Sequence, residues 1–322
     1  MNPAVEALRK EKPGLDPRKF RHPDVTAKGE KRASVALARL ETLWFNTGTL
    51  CNLTCTNCYI DSSPTNDALV YLSAGEVAEY LDEIGALGWP VREIGFTGGE
   101  PFMNPGIVAM LEDALGRGFD VLVLTNAMKP MQRHKAALLA LKDRYGARLT
   151  LRVSVDHYSQ TLHEMERGAR SWAPMREGLA WLAQNGFSLA IAGRTVWKES
   201  EEKLREGYQR LLRDLGLVLD AKDRARLVLF PEMDATLDVP EITTACWDIL
   251  GVHPDAMMCA SSRMVVKRKG AERPAVVACT LLPYDPQFEL GARLGDAAGA
   301  VKLNHPHCAR FCVLGGGSCS AK

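Results

Sequence analysis

The sequence has almost no net charge, since 40 basic and 39 acidic side chains leave a formal charge of +1. No general attraction to nucleic acid or anionic lipid is expected, because both depend on clustered positive charge. No apolar run approaches the length of a bilayer span. The first twenty residues lack the apolar centre and cleavage site of a secretory signal. We therefore expect a cytoplasmic protein whose partners include neither nucleic acid nor a membrane.

The composition is that of an ordinary globular protein. Apolar residues make up 46% of the 322 residues and charged residues 25%. The length suits one large domain, or one domain with a small appendage. The chain is therefore expected to bury a sizeable core.

The cysteines are odd in number and fall into two groups. In a reducing compartment, clustered cysteines indicate metal binding or catalysis before disulfides. The nine are Cys51, Cys55, Cys58, Cys246, Cys259, Cys279, Cys308, Cys312 and Cys319.

Strand-like and helix-like patterns alternate along the first two thirds of the chain. The alternation predicts βαβ units and a parallel sheet. Six units are too few for an eight-stranded barrel and fit a partial barrel or a doubly wound sheet. We predict an α/β fold, a partial (β/α)6 barrel like a TIM barrel, with functional groups at the C-terminal ends of its strands. The predicted strands are residues 41–47, 91–96, 120–125, 149–155, 187–192 and 226–230.

Three parts of the chain differ in composition. Residues 1–40 are polar, basic and proline-bearing, which predicts an N-terminal arm. Residues 41–235 form the predicted barrel. Residues 236–322 lose the alternation and are rich in proline, glycine and cysteine, which predicts a small cysteine-rich module with one possible hairpin.

The first cysteine group has the spacing C-x3-C-x2-C and follows the first predicted strand. Three thiolates in eight residues, at Cys51, Cys55 and Cys58, suit a cubane iron–sulfur cluster that leaves its fourth iron open. A structural zinc site is the main alternative, although zinc usually takes four closed ligands.

This run resembles the signature of the radical SAM superfamily. The resemblance implies that the three cysteines hold a [4Fe–4S] cluster whose open iron binds the methionine nitrogen and carboxylate of S-adenosylmethionine (SAM). It further implies reductive cleavage of SAM to a 5′-deoxyadenosyl radical, with electrons from a donor such as flavodoxin or ferredoxin. The family usually has an aromatic residue just before the third cysteine. Asn57 stands there in this chain, and Tyr59 is the candidate adenine contact instead.

Further candidates for SAM binding follow the later strands. Gly98, Gly99 and Glu100 resemble the family's GGE motif, which holds the amino group of SAM. Glycines also allow close backbone approach, so an ordinary turn is the alternative.

Ser154 and Asp156 lie two residues apart and so share one face of a strand, where they could bind the ribose. A helix cap by Asp156 is the alternative. Ile191 partly matches the family's I-x-G pattern, which packs on adenine. Arg194 could pair with the carboxylate of SAM, or it could form a surface salt bridge.

The second cysteine group resembles the auxiliary-cluster extensions called SPASM and twitch modules, although its spacing fits only in part. The resemblance implies one further [4Fe–4S] cluster on four of five cysteines, with zinc as the alternative. Cys246 is interpreted as a core thiol. The five candidates are Cys259, Cys279, Cys308, Cys312 and Cys319.

The expected function is hydrogen abstraction from an unknown substrate, with a net oxidation if an auxiliary cluster accepts an electron. A small molecule is preferred as the substrate, because the first 40 residues are too short for a peptide-recognition domain. Maturation of a peptide or protein is the alternative. A non-catalytic, zinc-stapled binding protein is an alternative of another class.

Overall fold

The structure is a computed structural model that describes residues 13–231 and 233–316. Its strands are β1 (Ser34–Val35), β2 (Thr42–Asn46), β3 (Glu93–Thr97), β4 (Asp120–Thr125), β5 (Leu149–Ser154), β6 (Ser188–Arg194), β7 (Leu227–Phe230), β8 (Ser262–Val266), β9 (Ala275–Val277), β10 (Glu289–Gly291) and β11 (Val301–Lys302). Its α-helices are α1 (Ala74–Leu87), α2 (Ile107–Gly116), α3 (Lys129–Gln132), α4 (Lys135–Tyr145), α5 (Gln160–Arg167), α6 (Trp172–Gln184), α7 (Glu201–Asp214) and α8 (Cys246–Leu250). None of these helices combines the length and the apolar content that a membrane span requires.

One nine-stranded sheet organises the described residues, in the order β10-β9-β8-β2-β3-β4-β5-β6-β7. Strands β2 to β8 pair in parallel, and the antiparallel β9 and β10 extend one edge. Strands β2 to β7 are the six predicted strands. The prediction of an α/β fold with a parallel sheet is therefore confirmed.

The C-terminal part shares the sheet of the barrel, although the loss of strand–helix alternation after residue 235 predicts a separate module. The predicted hairpin is present as β8 and β9, and β8 pairs in parallel with β2, Thr42 opposite Ser262. The sheet thus continues across the boundary expected at residue 235. This continuity brings the second cysteine group next to the barrel.

The described part of the N-terminal arm is an extended segment packed on the C-terminal part. β1 pairs with β11, and the buried guanidinium of Arg32 forms an ion pair with Glu241. These contacts hold the N-terminal segment of the described chain against its C-terminal part.

Side chains alternate between the two faces of the sheet, as a period of two requires. Leu43 and Phe45 of β2 pack in the core under the helices, whereas Trp44 packs with Met264 and the C-terminal part. Gly95 of β3 makes room for Trp44, because a Cβ there would lie 2.3 Å from the indole ring. Each face therefore has its own apolar core.

Local sequence signals set several helix ends. At the start of α1, Ser73 and Glu76 form a capping box, since Ser73 Oγ accepts from Glu76 N and Glu76 Oε2 accepts from Ser73 N. Helix α2 begins at Ile107, after a turn in which Asn104 Oδ1 accepts from Gly106 N and Asn104 Nδ2 donates to the carbonyls of Thr47 and Leu72.

Helix α6 lies so close to the segment after β4 that only glycine fits at Gly178. A Cβ there would lie 1.8 Å from the carbonyl oxygen of Ala127. We expect Gly178→Ala to push the helix off this segment and to reduce the free energy of unfolding by about 1–3 kcal/mol, as overpacking usually does. Gly85→Ala in α1 is the matched control, because a Cβ there meets nothing within 4 Å. Thermal denaturation should show a lower melting temperature for Gly178→Ala alone. Equal melting temperatures would contradict the close approach.

Candidate functional site

A pocket of about 920 Å³, part of it open to solvent, lies at the C-terminal ends of the parallel strands. Parallel βα units bring their strand ends to one site, which is where such pockets form. Its lining comes from the first cysteine loop, five strand ends and the C-terminal part. The lining residues are Cys55, Cys58, Tyr59, Ile60, Thr97, Gly98, Gly99, Leu124, Thr125, Asn126, Ser154, Asp156, Arg167, Ala192, Arg194, Phe230, Met233, Leu281 and Phe311.

The three cysteines of the first group lie in the loop that follows β2, as predicted. The backbone N–H of Cys51 donates to the carbonyl of Ser63, and Cys58 Sγ accepts from Ser62 N at 3.4 Å. Burial raises the pKa of Cys51 to about 12 and that of Cys55 to about 11. Without a cation these thiols are protonated, and a metal centre supplies the positive charge that stabilises thiolates. The donor set therefore fits a metal centre.

The arrangement is not that of a single ion. Within the described ranges, no group of three or more His, Cys, Asp or Glu side chains has the geometry to hold one metal ion. A cubane cluster does not require that geometry, because each thiolate binds a different iron.

The glycine pair after β3 lies against the start of the cysteine loop. Gly98 has φ +139°, and a Cβ on Gly99 would lie 2.2 Å from the carbonyl oxygen of Leu50. The backbone N–H of Gly99 donates to the carbonyl of Gly48, and that of Glu100 donates to the carbonyl of Leu50. Glycine is required here for close backbone approach.

The carboxylate of Glu100 differs from its predicted position. Its side chain is 2% exposed and is not among the lining residues of the pocket. Oε1 accepts from Thr125 Oγ1 at 2.8 Å, and Oε2 accepts from Asn126 N at 2.8 Å. Burial raises the pKa of Glu100 to about 7, although these hydrogen bonds act to lower it. The side chain therefore ties the end of β3 to the end of β4 behind the pocket wall.

A buried charge network lies at the ends of β5 and β6. Asp156 Oδ2 lies 2.7 Å from Arg167 Nε, and Asp156 Oδ1 lies 3.5 Å from Arg194 Nε. Arg194 Nε also lies 3.7 Å from Glu166 Oε1. Burial acts to raise the pKa of Asp156, but the two guanidinium groups outweigh it and hold that pKa below its usual value. Asp156 is therefore ionised and orients both arginines.

The guanidinium of Arg194 is only partly paired within this network. Arg194 Nη1 is buried and lacks a hydrogen-bond partner among the residues that the structure describes, and its residue lines the pocket. A buried guanidinium nitrogen without an acceptor is unfavourable, and a carboxylate is the acceptor it matches best. The site thus fits a ligand that carries a carboxylate.

The other predicted residues divide between pocket and core. Ser154 and Tyr59 line the pocket. Ile191 does not line it, because its side chain is fully buried in the core under the helices, and the next residue, Ala192, lines the pocket instead. Side chains alternate along β6, so two neighbours cannot both face the pocket.

Four cysteines of the second group line a separate, narrow cavity. They are Cys259, Cys279, Cys308 and Cys312. Burial raises the pKa of Cys259 to about 11 and raises that of Cys308 well above its usual value. His307 lines the same cavity, whereas the half-buried Cys246 does not. Cys319 lies outside the described residues.

The two cavities share one wall. Leu281 lines both of them, and its backbone N–H donates to Cys279 Sγ at 3.4 Å. Phe311, next to Cys312, lines the main pocket and stacks on Phe230 with ring centroids 5.6 Å apart. The cysteine-bearing segments of the C-terminal part therefore form one side of the main pocket.

Several of these residues carry no local sequence signal. Arg167 stands at the end of α5, thirteen residues after Ser154, and no spacing from a strand end predicts that it turns back into the pocket. Phe311 and Leu281 are apolar residues of an irregular segment, and their sequence neighbours alone would place them in a core.

The close approach at Gly99 can be tested through iron binding. Gly99→Ala should displace the carbonyl of Leu50, one residue before Cys51, and so shift the first cysteine loop. We expect less iron per chain after anaerobic reconstitution, measured by colorimetric iron assay. Gly85→Ala, which adds a Cβ in open space, should bind iron as the unchanged protein does. Full iron content in Gly99→Ala would show that the loop tolerates the shift.

Comparison with known proteins agrees with this geometry. A curated relative, the antilisterial bacteriocin subtilosin biosynthesis protein AlbA of Bacillus subtilis (strain 168), is 29% identical over 192 residues. That match covers 58% of this chain and 41% of AlbA, so this chain spans less than half of the relative.

Two solved structures share the fold at low sequence identity. Streptococcus suis SuiB bound to S-adenosylmethionine superposes with a TM-score of 0.57 at 14% identity, over 79% of this chain and 64% of SuiB. The protein anSMEcpe with bound AdoMet superposes with a TM-score of 0.53 at 13% identity, over 80% of this chain and 77% of anSMEcpe.

The family assignment rests on a sequence model of the radical SAM superfamily, which matches residues 45–211, slightly more than half of the chain. That match contains the cysteine loop, the glycine pair and the buried charge network. The chain belongs to the radical SAM superfamily of iron–sulfur enzymes, which bind a [4Fe–4S] cluster and S-adenosylmethionine.

Proposed function

We propose that this chain cleaves SAM at a cluster held by Cys51, Cys55 and Cys58 and oxidises an apolar side chain of a peptide. The observation that carries the proposal is the pocket itself, which combines two cysteines of the loop, a buried charge network and an apolar wall. A peptide is now preferred over the small molecule expected from the sequence. AlbA is named for bacteriocin biosynthesis, and SuiB was solved bound to its precursor peptide SuiA.

The cysteine loop has the chemistry that the cluster needs. Three thiolates leave one iron open for SAM. When bound, the cluster supplies the electron that cleaves SAM into methionine and a 5′-deoxyadenosyl radical. The protein contributes binding, orientation and the exclusion of competing reactions.

The polar side of the pocket suits the methionine part of SAM. We assign Arg194 Nη1 to the carboxylate, because that nitrogen is buried without a partner among the described residues. Arg167 lines the pocket beside it and can assist. The backbone of Gly98 and Gly99 is assigned to the ammonium group, in place of the Glu100 side chain, since both glycines line the pocket.

The nucleoside part is assigned to three other lining residues. Ser154 has a half-buried hydroxyl at the end of β5 that can bind the ribose, and Tyr59 and Ala192 supply apolar surface for adenine. Asp156 is assigned to holding the two arginines and not to the ribose, because both of its oxygens lie within 3.5 Å of guanidinium nitrogens.

The apolar wall is assigned to the substrate. It consists of Phe230, Met233, Leu281 and Phe311, none of which carries a charge. The charged lining residues Asp156, Arg167 and Arg194 are paired with one another, and Arg194 lies opposite Phe230 in the pairing of β6 with β7. A charged substrate group at the apolar wall would lose its hydration without compensation, so the reacting group should be apolar. The same wall excludes water from a reactive intermediate.

The second cavity is assigned to an auxiliary [4Fe–4S] cluster. Four cysteines in one cavity match the four thiolates that a closed cluster requires. Leu281 lines both this cavity and the main pocket, so a cluster held here would lie next to the pocket assigned to the substrate. A cluster there could accept the second electron of a net oxidation. Zinc on the same four thiols is the alternative.

The cysteine assignments can be tested by counting iron. After anaerobic reconstitution we expect about eight irons per chain, and 5′-deoxyadenosine after addition of SAM and dithionite. Cys55→Ala should retain about four irons and lose 5′-deoxyadenosine, whereas Cys279→Ala should retain about four irons and still form it. Cys246→Ala is the control and should behave as the unchanged protein. Four irons and bound zinc in the unchanged protein would overturn the auxiliary cluster, and the absence of 5′-deoxyadenosine would overturn the proposed reaction.

The substrate assignment can be tested by isotope transfer. Short synthetic peptides, each with one side-chain-deuterated Phe, Leu or Lys, are incubated with the reconstituted enzyme, SAM and dithionite. Deuterium should enter 5′-deoxyadenosine from Phe or Leu peptides more than from Lys peptides, because the wall is apolar. Mass spectrometry of 5′-deoxyadenosine measures this transfer. Transfer from the free deuterated amino acids but not from the peptides would favour a small-molecule substrate.

A further inference from the structure

Asn57 occupies the position at which related enzymes usually have an aromatic residue, and the structure shows what its side chain does. It is not among the lining residues of the pocket. Its side-chain Nδ2 donates to Glu166 Oε2 at 2.7 Å, and its backbone N–H donates to Glu166 Oε1 at 2.9 Å. Both oxygens of one carboxylate thus bind one residue of the cysteine loop.

Further hydrogen bonds join the same two segments. The backbone N–H of Thr56 donates to the carbonyl of Glu166 at 2.8 Å, and Thr56 Oγ1 donates to the carbonyl of Met165 at 3.3 Å. Glu166 is 1% exposed. Hydrogen bonds inside the protein are electrostatically stronger than those exposed to water. The loop between Cys55 and Cys58 is therefore held firmly against the end of α5.

The same contacts connect the loop to the charge network. Arg167, which follows Glu166 in the chain, contacts Asp156. Arg194 Nη2 donates to the carbonyl of Asn57 at 2.8 Å, while its Nε lies 3.7 Å from Glu166 Oε1. One carboxylate thus orients the cysteine loop and lies beside the guanidinium assigned to SAM.

We propose that Asn57 and Glu166 are positioning residues that set the cysteine loop, and so the cluster, relative to the carboxylate-binding Arg194. This inference rests on the proposed SAM site. An amide at this position replaces the usual ring with a hydrogen-bonded contact to α5. Adenine contact is left to Tyr59, which lines the pocket.

The physical consequence of removing the amide follows from the neighbouring charges. Without Asn57 Nδ2, the buried Glu166 carboxylate loses one donor and depends more on Arg194. The guanidinium then moves toward Glu166 and away from the carboxylate of SAM. None of the three cysteines is changed by this substitution. We therefore expect the cluster to assemble, while the affinity for SAM decreases.

Three variants separate this role from a merely structural one. Asn57→Ala removes the side-chain donor. Asn57→Asp places a second carboxylate beside Glu166, which like-charge repulsion disfavours. Glu166→Gln keeps an acceptor for Asn57 N, and its amide can pair with a rotated Asn57 amide. Thr54→Ala is the matched control, an exposed residue of the same loop.

The experiment uses the reconstituted full chain and measures three quantities: iron per chain, the dissociation constant of SAM, and the change that SAM causes in the electron paramagnetic resonance spectrum of the reduced cluster. Asn57→Ala should retain iron and weaken SAM binding by about tenfold, which equals the loss of one hydrogen bond of about 1.4 kcal/mol. Asn57→Asp should weaken it further. Thr54→Ala should stay close to the unchanged protein in all three quantities. Glu166→Gln should retain iron and weaken SAM binding less than Asn57→Ala does, because the amide keeps the hydrogen bonds to Asn57 but loses the charge beside Arg194.

Two outcomes would overturn the inference. In one, Asn57→Ala binds SAM and changes its spectrum as the unchanged protein does. In the other, Asn57→Ala and Glu166→Gln both lose iron together with SAM binding, which would show a loop that merely needs the contact to fold. If the unchanged protein shows no spectral response to SAM, the proposed SAM site fails and this inference with it. If the spectrum of the unchanged protein responds to SAM but the variants do not differ from it as expected, the SAM site stands and only this inference fails.

Discussion

The ion pairs of Asp156 with Arg167 and Arg194 are the interaction on which the site depends. These side chains come from the end of β5, the end of α5 and the end of β6, and all are nearly buried. Removing one member of a buried ion pair leaves an uncompensated charge, so loss of the Asp156 carboxylate would destabilise both arginines at the pocket. Asp156 contacts only part of the Arg194 guanidinium, and Nη1 of Arg194 is buried without a hydrogen-bond partner among the described residues.

A second constraint is the close packing of backbone at the start of the cysteine loop. Gly98 and Gly99 bring the end of β3 within hydrogen-bond distance of the loop before Cys51. On the other side, Glu166 holds the loop near Asn57. The loop is thus held at both ends by different elements, which suits a site where three thiols must keep a fixed arrangement.

The sheet explains how the C-terminal part takes part in the site. Because β8 pairs with β2, the segments that carry the second cysteine group pass beside the mouth of the barrel. Leu281 and Phe311 then close the pocket with apolar surface, and four cysteines gather behind them. One pairing of two strands therefore brings both cysteine groups to neighbouring cavities.

The sequence by itself determined the parts of this protein that local patterns encode. The alternation of strands and helices predicted β2 to β7, and the spacing of Cys51, Cys55 and Cys58 predicted the iron–sulfur family, because period and spacing are properties of the chain alone. Only the tertiary structure decided where the side chains of Glu100, Ile191 and Arg167 lie. A carboxylate beside a glycine pair can face the pocket or the neighbouring strand, and the choice depends on Thr125 and Asn126, which are distant in the chain. Likewise, the pleat of β6 turns Ile191 into the core, and the return of α5 brings Arg167 to the pocket, since both depend on how separate elements pack.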